Sequence, residues 1–465
     1  MIQLLGLDCK SLPVYWKMMK QSIILIVTLA LQVVTTRAAM TVTNIAAGAY
    51  HSLFLRSDGS FRAMGYNNYG ELGDGTSALH TTPEQIVSSN VTAIAGGYYH
   101  SLFVKSDGSL WAMGYNCQGQ LGDGTYGNYN YIYTPEEIVF SNVTVVAAGE
   151  WQSLFLKSDG SLWAMGNNYD GQLGDGTNNL NNPIPEQIVS SNVTAIAGGY
   201  GHSLFLKSDG SLWGMGYNAD GELGDGTTNN RATPEQIVSS GVTAITVGHL
   251  HSLFLKSDGS LWAMGYNYYG ELGDGTTAST NAPEQIVSTG VTAIAAGYHH
   301  SLFLKSDGSL WAVGLNSSGQ LGDGTLIDHH TPERILSSGV TAIAAGYYFS
   351  LFLKSDGSLW AMGYNTDGEL GDGTQTRHPA PEQIVPFVPT IVSISLSRTN
   401  LVVKGSNGLS GGKYYTLMNT NVAQPLSQWT PVTTNVLSAS GNFTITVTNA
   451  VNRNLPQRFY ILQLQ

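Results

Sequence analysis

VTAITVGHLHSLFLKSDGSLWAMGYNYYGELGDGTTASTNAPEQIVSTG, residues Val242 to Gly290, is the stretch on which the fold turns. Close copies of it begin at Val42, Val91, Val143, Val193, Val291 and Val340, and the last ends near Pro386. Self-similarity at such a period marks an architecture in which each copy buries a face against the next. Each copy has room for four short strands. VTAIT is the first. SLFLK and SLWAMG are the second and third, joined by Ser-Asp-Gly-Ser, in which glycine accepts the positive φ of a tight hairpin. PEQIV is the fourth, with its proline at the start of an edge strand. The middle strands do not alternate apolar with polar: Leu253, Phe254 and Leu255 are consecutive, as are Leu261, Trp262, Ala263 and Met264. Such runs predict burial on both faces. A small antiparallel sheet covered on both sides by copies of itself is a blade, so the expected fold is an all-β, seven-bladed β-propeller of four-stranded blades over 42–386. A β-helix is the weaker rival, since its coils lack a fixed Asp-Gly hairpin.

The quoted pattern, with A-A-G-x-x-H-S-L, D-G-S-L-W-A-M-G, N-x-x-G-x-L-G-D-G-T and P-E-Q-I-V in succession, resembles the regulator of chromosome condensation repeat. The resemblance covers about three quarters of the chain and implies the same seven-bladed ring. It fixes no activity, because that family includes nucleotide exchange factors, a photoreceptor and secreted inhibitors of β-lactamase. The secreted inhibitors, which grip a partner protein with one propeller face, are the closer analogy for this chain, and the type expected is the secreted bacterial one.

Composition narrows the function. The chain has 465 residues, 56 of them glycine, with 11% charged residues and a formal net charge of −12. No basic run offsets that charge, so nucleic acid is not an expected partner. Lys17 and Lys20 precede an apolar stretch from Ile23 to Val34, and Thr36 and Ala38 supply small residues for cleavage after Ala38. Residues 1–38 therefore read as a signal peptide, with translation starting at Met18 or Met19 as an alternative to Met1. The expected location is extracellular, periplasmic or at the cell surface, with no membrane span in the mature chain. Cys9 falls in or before that segment, which leaves Cys117 without an internal partner. After Pro386 a segment rich in Thr, Val and Asn follows. Apolar stretches near Leu401, Tyr414, Phe443 and Phe459 suggest about six strands and a small β-sandwich at 390–465, similar to the short β modules that end many exported bacterial proteins.

Several residue groups invite chemistry. A histidine precedes Ser-Leu in five copies, at His51, His100, His202, His251 and His300, with Gln152 and Phe349 in the other two. Equivalent positions in different blades point around a ring and do not converge on a metal or a nucleophile. The ordinary reading is a hydrogen bond that ties the first turn to the blade. The Gly-Asp-Gly-Thr aspartates, even with the nearby acids that make Asp367, Glu369 and Asp372, and Asp220, Glu222 and Asp225, the densest groups, offer too few carboxylates for a calcium cage. They fit glycine turns that donate backbone N–H groups. His329 and His330 are adjacent and point apart. Neither a catalytic set, a metal nor a cofactor is expected.

The copies differ from one another in three places. The first is the pair before the histidine, which supplies Tyr50, Tyr98, Tyr99, Trp151, Tyr200, His249, Tyr298, Tyr347 and Tyr348. The second is the pair inside N-x-x-G, with Tyr69, Tyr169, Tyr268 and Tyr269. The third is the loop before the proline, where a tyrosine-rich insertion from Tyr126 to Tyr133 carries Tyr129 and Tyr131. In an up-down-up-down blade all three lie on one face, opposite the Ser-Asp-Gly-Ser hairpins. That face should be aromatic and acidic. Its acids would be the seven Gly-Asp-Gly-Thr aspartates, the Pro-Glu glutamates, and Glu71, Glu222, Glu271 and Glu369. Tyrosine and tryptophan are enriched at interfaces. The expected function is a monomeric, non-enzymatic scaffold that binds a protein or glycan partner there. The alternatives are a structural envelope protein without a dedicated ligand and a guanine-nucleotide-exchange-like regulator.

Overall fold

The computed structural model describes residues 41–178 and 181–385 of the repeat region. Beyond it, residues 390–397, 400–406, 413–419, 428, 430–436, 443–448 and 459–464 are described. The signal segment expected at 1–38 lies outside the described residues.

Thr41–Pro386 forms one compact unit of seven four-stranded antiparallel sheets, the β-propeller that the repeats predict. The first blade comprises β1 (Val42–Ala47), β2 (His51–Arg56), β3 (Phe61–Gly65) and β4 (His80–Val87), paired in that order. The strands equivalent to β1 touch one another around the ring and line its central channel. Those equivalent to β4 form the outer wall, with exposed positions along their length. Burial is continuous along β2 because its side chains alternate between two neighbouring blades. Leu53 and Leu55 pack with Val91, Phe103 and Met113 of the second blade. Phe54 packs the other way, against Leu351, Leu359 and Leu370 of the seventh. Each such fully buried side chain contributes roughly 1.5–3 kcal/mol. That gain exists only when both neighbours are present, so ring closure and blade folding stabilise each other.

Closure uses no exchanged strand. All four strands of every blade come from one stretch of sequence, and the seam between blades seven and one repeats the other six. At a typical junction the hairpin glycine carbonyl accepts from the first N–H of the next blade, as in Val291 N to Gly259 O at 3.0 Å. Val42 N to Gly357 O, at 3.4 Å, is the same bond across the closing seam. This shared clasp accounts for the identity of Ser-Asp-Gly-Ser in all seven copies. Gly259 has φ +78°, and a Cβ there would sit 2.9 Å from Gly290 N, so glycine is required twice over.

Two details depart from expectation. The fourth strand starts three or four residues before its proline, as in His80–Val87 and Tyr131–Val139. Proline is tolerated mid-strand because that strand is outermost and the register shifts beside it, between Ala63 and Gly65. Part of the tyrosine insertion therefore belongs to a strand rather than a loop.

Among the described residues the C-terminal region has six strands in two three-stranded antiparallel sheets. One holds Thr390–Ser397, Asn400–Ser406 and Phe443–Val447; the other holds Lys413–Asn419, Thr430–Val436 and Phe459–Leu464. Leu401 pairs with Val447 and Val403 with Ile445, and these four alternate side chains are buried.

Candidate functional site

The histidine before Ser-Leu joins neighbouring blades, which corrects the expected bond within a blade. His51 Nε2 lies 2.8 Å from Ser101 Oγ, and Ser101 Oγ donates its only proton to the Glu71 carbonyl at 2.8 Å. His51 is therefore the donor through Nε2–H, and its Nδ1 is buried without a hydrogen bond. The same relay recurs at His100, His202, His251 and His300. The ring packs against the glycine three residues earlier, where a Cβ on Gly48 would collide with it. Burial holds His51, His100, His202 and His300 down to about 3, so these imidazoles are neutral. Gln152 replaces the ring with bonds to Gly199 O and His202 O, and Phe349 fills the same place with apolar packing.

Above each relay the chain turns through the variable pair. The first member donates its N–H to the corresponding turn of the next blade, as in Ala49 to Gly97 O, Glu150 to Gly199 O and Tyr347 to Ala49 O. The carbonyl of the second member accepts from the end of the third strand, as in Tyr66 N to Tyr50 O and Tyr115 N to Tyr99 O. These bonds bring the variable loops together on one face, at the channel mouth.

The rings there form a layer that is connected from Tyr200 round to Trp151. Tyr200 contacts His249 (4.7 Å between centroids), His249 contacts Tyr298 (4.3 Å), Tyr298 contacts Tyr347 (4.5 Å), and Tyr347 contacts Tyr98 (5.2 Å). From this inner circle one branch runs through Tyr50, Tyr99 and Trp151 to Tyr69, Tyr131 and Tyr129. A second runs through Tyr348, and through His299 to Tyr269 and Tyr268. Tyr169 stands outside these ring contacts and is 64% exposed. Tyr129 and Tyr268 are also largely exposed, whereas Trp151 is half-buried among Tyr98, Tyr99 and Tyr115. Burial keeps the phenols of Tyr50 and Tyr99 protonated at any ordinary pH, so they act as neutral donors.

Sequence comparison of the copies missed Tyr66, Tyr115, Tyr217, Tyr266 and Tyr364 at the end of the third strand. Five copies share tyrosine there, so the position read as scaffold, yet the rings join the layer at Tyr50, Tyr69, Tyr200, His299 and Tyr348. The missing signal was that the residue directly precedes the N-x-x-G loop.

The face is less acidic than expected. Glu71, Glu222, Glu271 and Glu369 are fully buried. Their carboxylates turn inward, where one oxygen accepts a backbone N–H of the loop, as from Tyr69 N to Glu71 Oε2 at 3.0 Å. Burial pushes Glu71 and Glu369 up to about 8 and Glu222 up to about 7. Glu271 instead meets the buried His299 at 3.0 Å. The Pro-Glu glutamates lie on the outer wall. The Gly-Asp-Gly-Thr aspartates are committed to their own loops: Asp74 accepts from Thr76 N, Asn67 Nδ2 and His80 Nε2. Arg231, His329 and His378 pair with Asp225, Asp323 and Asp372 in the same way. Glu150 remains at the channel mouth, 3.5 Å from His249. Burial drives its carboxyl up to about 8 and His249 down to about 3, which favours a neutral pair.

The opposite face is repetitive. Each Lys from Lys105 to Lys354 sits over the tryptophan of its own blade, at 3.5 Å for Lys105 and 4.3 Å for Lys305. The indole N–H donates to the hairpin serine, as in Trp262 to Ser260.

With the geometry in place, comparison with known proteins identifies the family. The RCC1-like domain matches residues 131–417, more than half of the chain, and the regulator of chromosome condensation (RCC1) repeat matches 42–71, 91–120 and 58–104. The chain belongs to the RCC1-like domain family. Among solved structures it is similar to human WBSCR16, with 23% identity over 72% of this chain and 96% of that one (TM-score 0.64). It is also similar to yeast RCC1 (Prp20), crystallised bound to Kap60, with 20% identity over 76% and 88% (TM-score 0.63). At these identities the likeness shows the seven-bladed fold. Among the described residues no helix is long and apolar enough to cross a membrane.

Proposed function

We propose that the chain is an exported, non-enzymatic scaffold whose propeller holds a protein or glycan partner on the aromatic face. The observation that carries this reading is the connected layer of tyrosines at the channel mouth, edged by the exposed Tyr129, Tyr169, Tyr200 and Tyr268. Such rings bring large contact area at small entropic cost, and interfaces concentrate their energy in a few of them. The structure of yeast RCC1 with Kap60 supplies an example of a protein partner for this fold. Catalysis is disfavoured by the His–Ser relays. Their serine hydroxyls are buried and already donate to backbone carbonyls, so they offer substrate no nucleophile. Export rests on the Lys-flanked apolar segment before Ala38.

The test uses immobilised mature chain and the extracellular fraction of the source cells. A partner captured by the wild type should be lost on Tyr200→Ala with Tyr268→Ala, each costing about 2 kcal/mol if it is an anchor. It should be kept on Lys157→Gln with Lys256→Gln, with a change below about 0.5 kcal/mol. The opposite pattern, or no capture by the aromatic face, contradicts the proposal.

A further inference from the structure

The aromatic layer is interrupted at one seam, where two blades each lack a ring that their siblings carry. The end of the third strand holds Tyr66, Tyr115, Tyr217, Tyr266 or Tyr364 in five blades and Leu315 in the sixth, but Asn167 in the third. The second member of the variable pair is an aromatic, leucine or histidine in six blades, but Gly201 in the fourth. Both absences fall at the seam between blades three and four. A Cβ on Gly201 would lie 3.1 Å from Asp170 Oδ2 and 3.1 Å from Tyr217 Cβ. A cavity of about 170 Å³ opens there. Trp151, Tyr169 and Tyr200 line it with aromatic rings; Gln118, Asn167, Asp170 and Gln172 line it with polar groups.

The polar lining is ordered by its own hydrogen bonds. Asn167 Nδ2 donates to Gln118 Oε1 at 3.1 Å, and Gln172 Nε2 donates to Asn167 Oδ1 at 2.8 Å. Tyr169 N also donates to Asn167 Oδ1, at 2.9 Å, and Asp170 N donates to Gln172 Oε1, at 3.0 Å. Every amide oxygen of the trio is thus an acceptor already in use. Each amide nitrogen carries two protons, so the chain leaves Asn167 and Gln172 one N–H each and Gln118 its NH₂. Asp170 Oδ1 accepts from Asn230 Nδ2 at 3.0 Å, and its other oxygen faces Gly201.

Neutral donors, one carboxylate acceptor and three ring walls match a sugar ring. A pyranose has an apolar C–H face that stacks on aromatic rings, and hydroxyls that donate and accept at once. An ammonium group would suit Asp170 and the rings but would set a cation against the free amide N–H groups of Gln118, Asn167 and Gln172 and leave them unpaired. An anion would meet Asp170. We propose that this cavity is a saccharide subsite that takes one pyranose residue of a glycan partner, which rests on the reading of the aromatic face as the binding face. Its volume, below the several hundred Å³ of drug-sized sites, suits a single ring.

The experiment titrates the purified full chain with D-glucose, D-galactose, D-mannose, N-acetylglucosamine and choline by ligand-observed NMR. At least one of the sugars should saturate with a Kd on the order of 1–10 mM, as befits one ring with few contacts. Asn167→Tyr, which installs the residue of five sibling blades, should weaken that binding at least tenfold. Gly201→Leu, which copies Leu250 of the fifth blade and would crowd the cavity's Asp170, provides a second way to disturb the site should the first variant fail to fold. Lys256→Gln, on the opposite face over Trp262, should bind as the wild type does. The subsite is overturned if no sugar saturates, if choline binds in their place, or if a folded variant of the cavity binds sugar as well as the wild type. Should a macromolecular partner still be held by the aromatic face in that event, only the subsite fails. If the face holds neither, the wider reading fails with it.

Discussion

At the residue scale, the chain contains its own substitution series. The inter-blade position is histidine five times, glutamine once and phenylalanine once, so its requirement is a group that fills the space over glycine and, where polar, donates across the seam. His202→Gln should therefore cost less than about 1 kcal/mol, whereas His202→Ala, which removes both packing and donor, should cost about 2–4 kcal/mol. Urea denaturation of the two variants decides this, and equal losses would contradict the role assigned to the ring. The buried acids form a second series, with Glu71, Glu222, Glu271 and Glu369 set against Gln120, Gln172 and Gln320 at the same position.

These groups fix the pH dependence. The histidines have folded pKa values depressed from 6.5 to about 3, so the stability that goes with their neutral form is complete above 6.5 and is lost as pH falls towards 3. Glu71, Glu150 and Glu369 are raised from 4.5 to about 8, so their contribution is complete below 4.5 and is lost as pH rises through 8. The two effects oppose each other between 4.5 and 6.5. The melting temperature should accordingly be flat there and fall on either side. Glu71→Gln with Glu222→Gln and Glu369→Gln should flatten the alkaline limb and leave the acid limb unchanged; a scan of melting temperature against pH that shows an unaltered alkaline limb would refute the assignment.

At the scale of elements, the blade was legible because physics leaves it little choice. Unbroken apolar runs such as Leu253–Leu255 have no single-faced solution, and Asp-Gly between them admits only a tight hairpin. The start of the fourth strand was not legible. Residues such as His80 and Thr81 are polar and sit on an outer wall that imposes no burial pattern. The partner of His51 was equally hidden, since a serine fifty residues away in the next copy looks the same in sequence as the serine beside it. Because each blade is built from one continuous segment, any junction between blades should serve as the chain ends. A permutant that opens the ring at Ser240–Gly241 and joins Pro386 to Thr41 through a short flexible linker should fold with a melting temperature close to that of the parent. Failure to fold would show that the seam between blades seven and one is not equivalent to the others.

At the scale of the molecule, the variable face was readable from differences among the copies, but its chemistry was only partly so. Counting acids suggested a negative surface; the fold turns Glu71 and its equivalents inward and gives the loop aspartates to threonine, asparagine and histidine partners. Counting variation missed the shared tyrosines at the ends of the third strands, and it could not show that Gln118, Asn167 and Tyr200, from three consecutive copies, line one cavity. What survives is an aromatic surface with few free acids on one side and a repeated lysine–tryptophan hairpin on the other. Hydrogen–deuterium exchange of the chain with and without a captured partner separates these sides most directly. Protection should fall on the segments around Tyr98, Tyr200, Tyr268, Tyr298 and Tyr347, with the Ser-Asp-Gly-Ser hairpins unchanged. Protection confined to the hairpins, as at Ser257–Ser260, would contradict the assignment of the aromatic face as the binding surface.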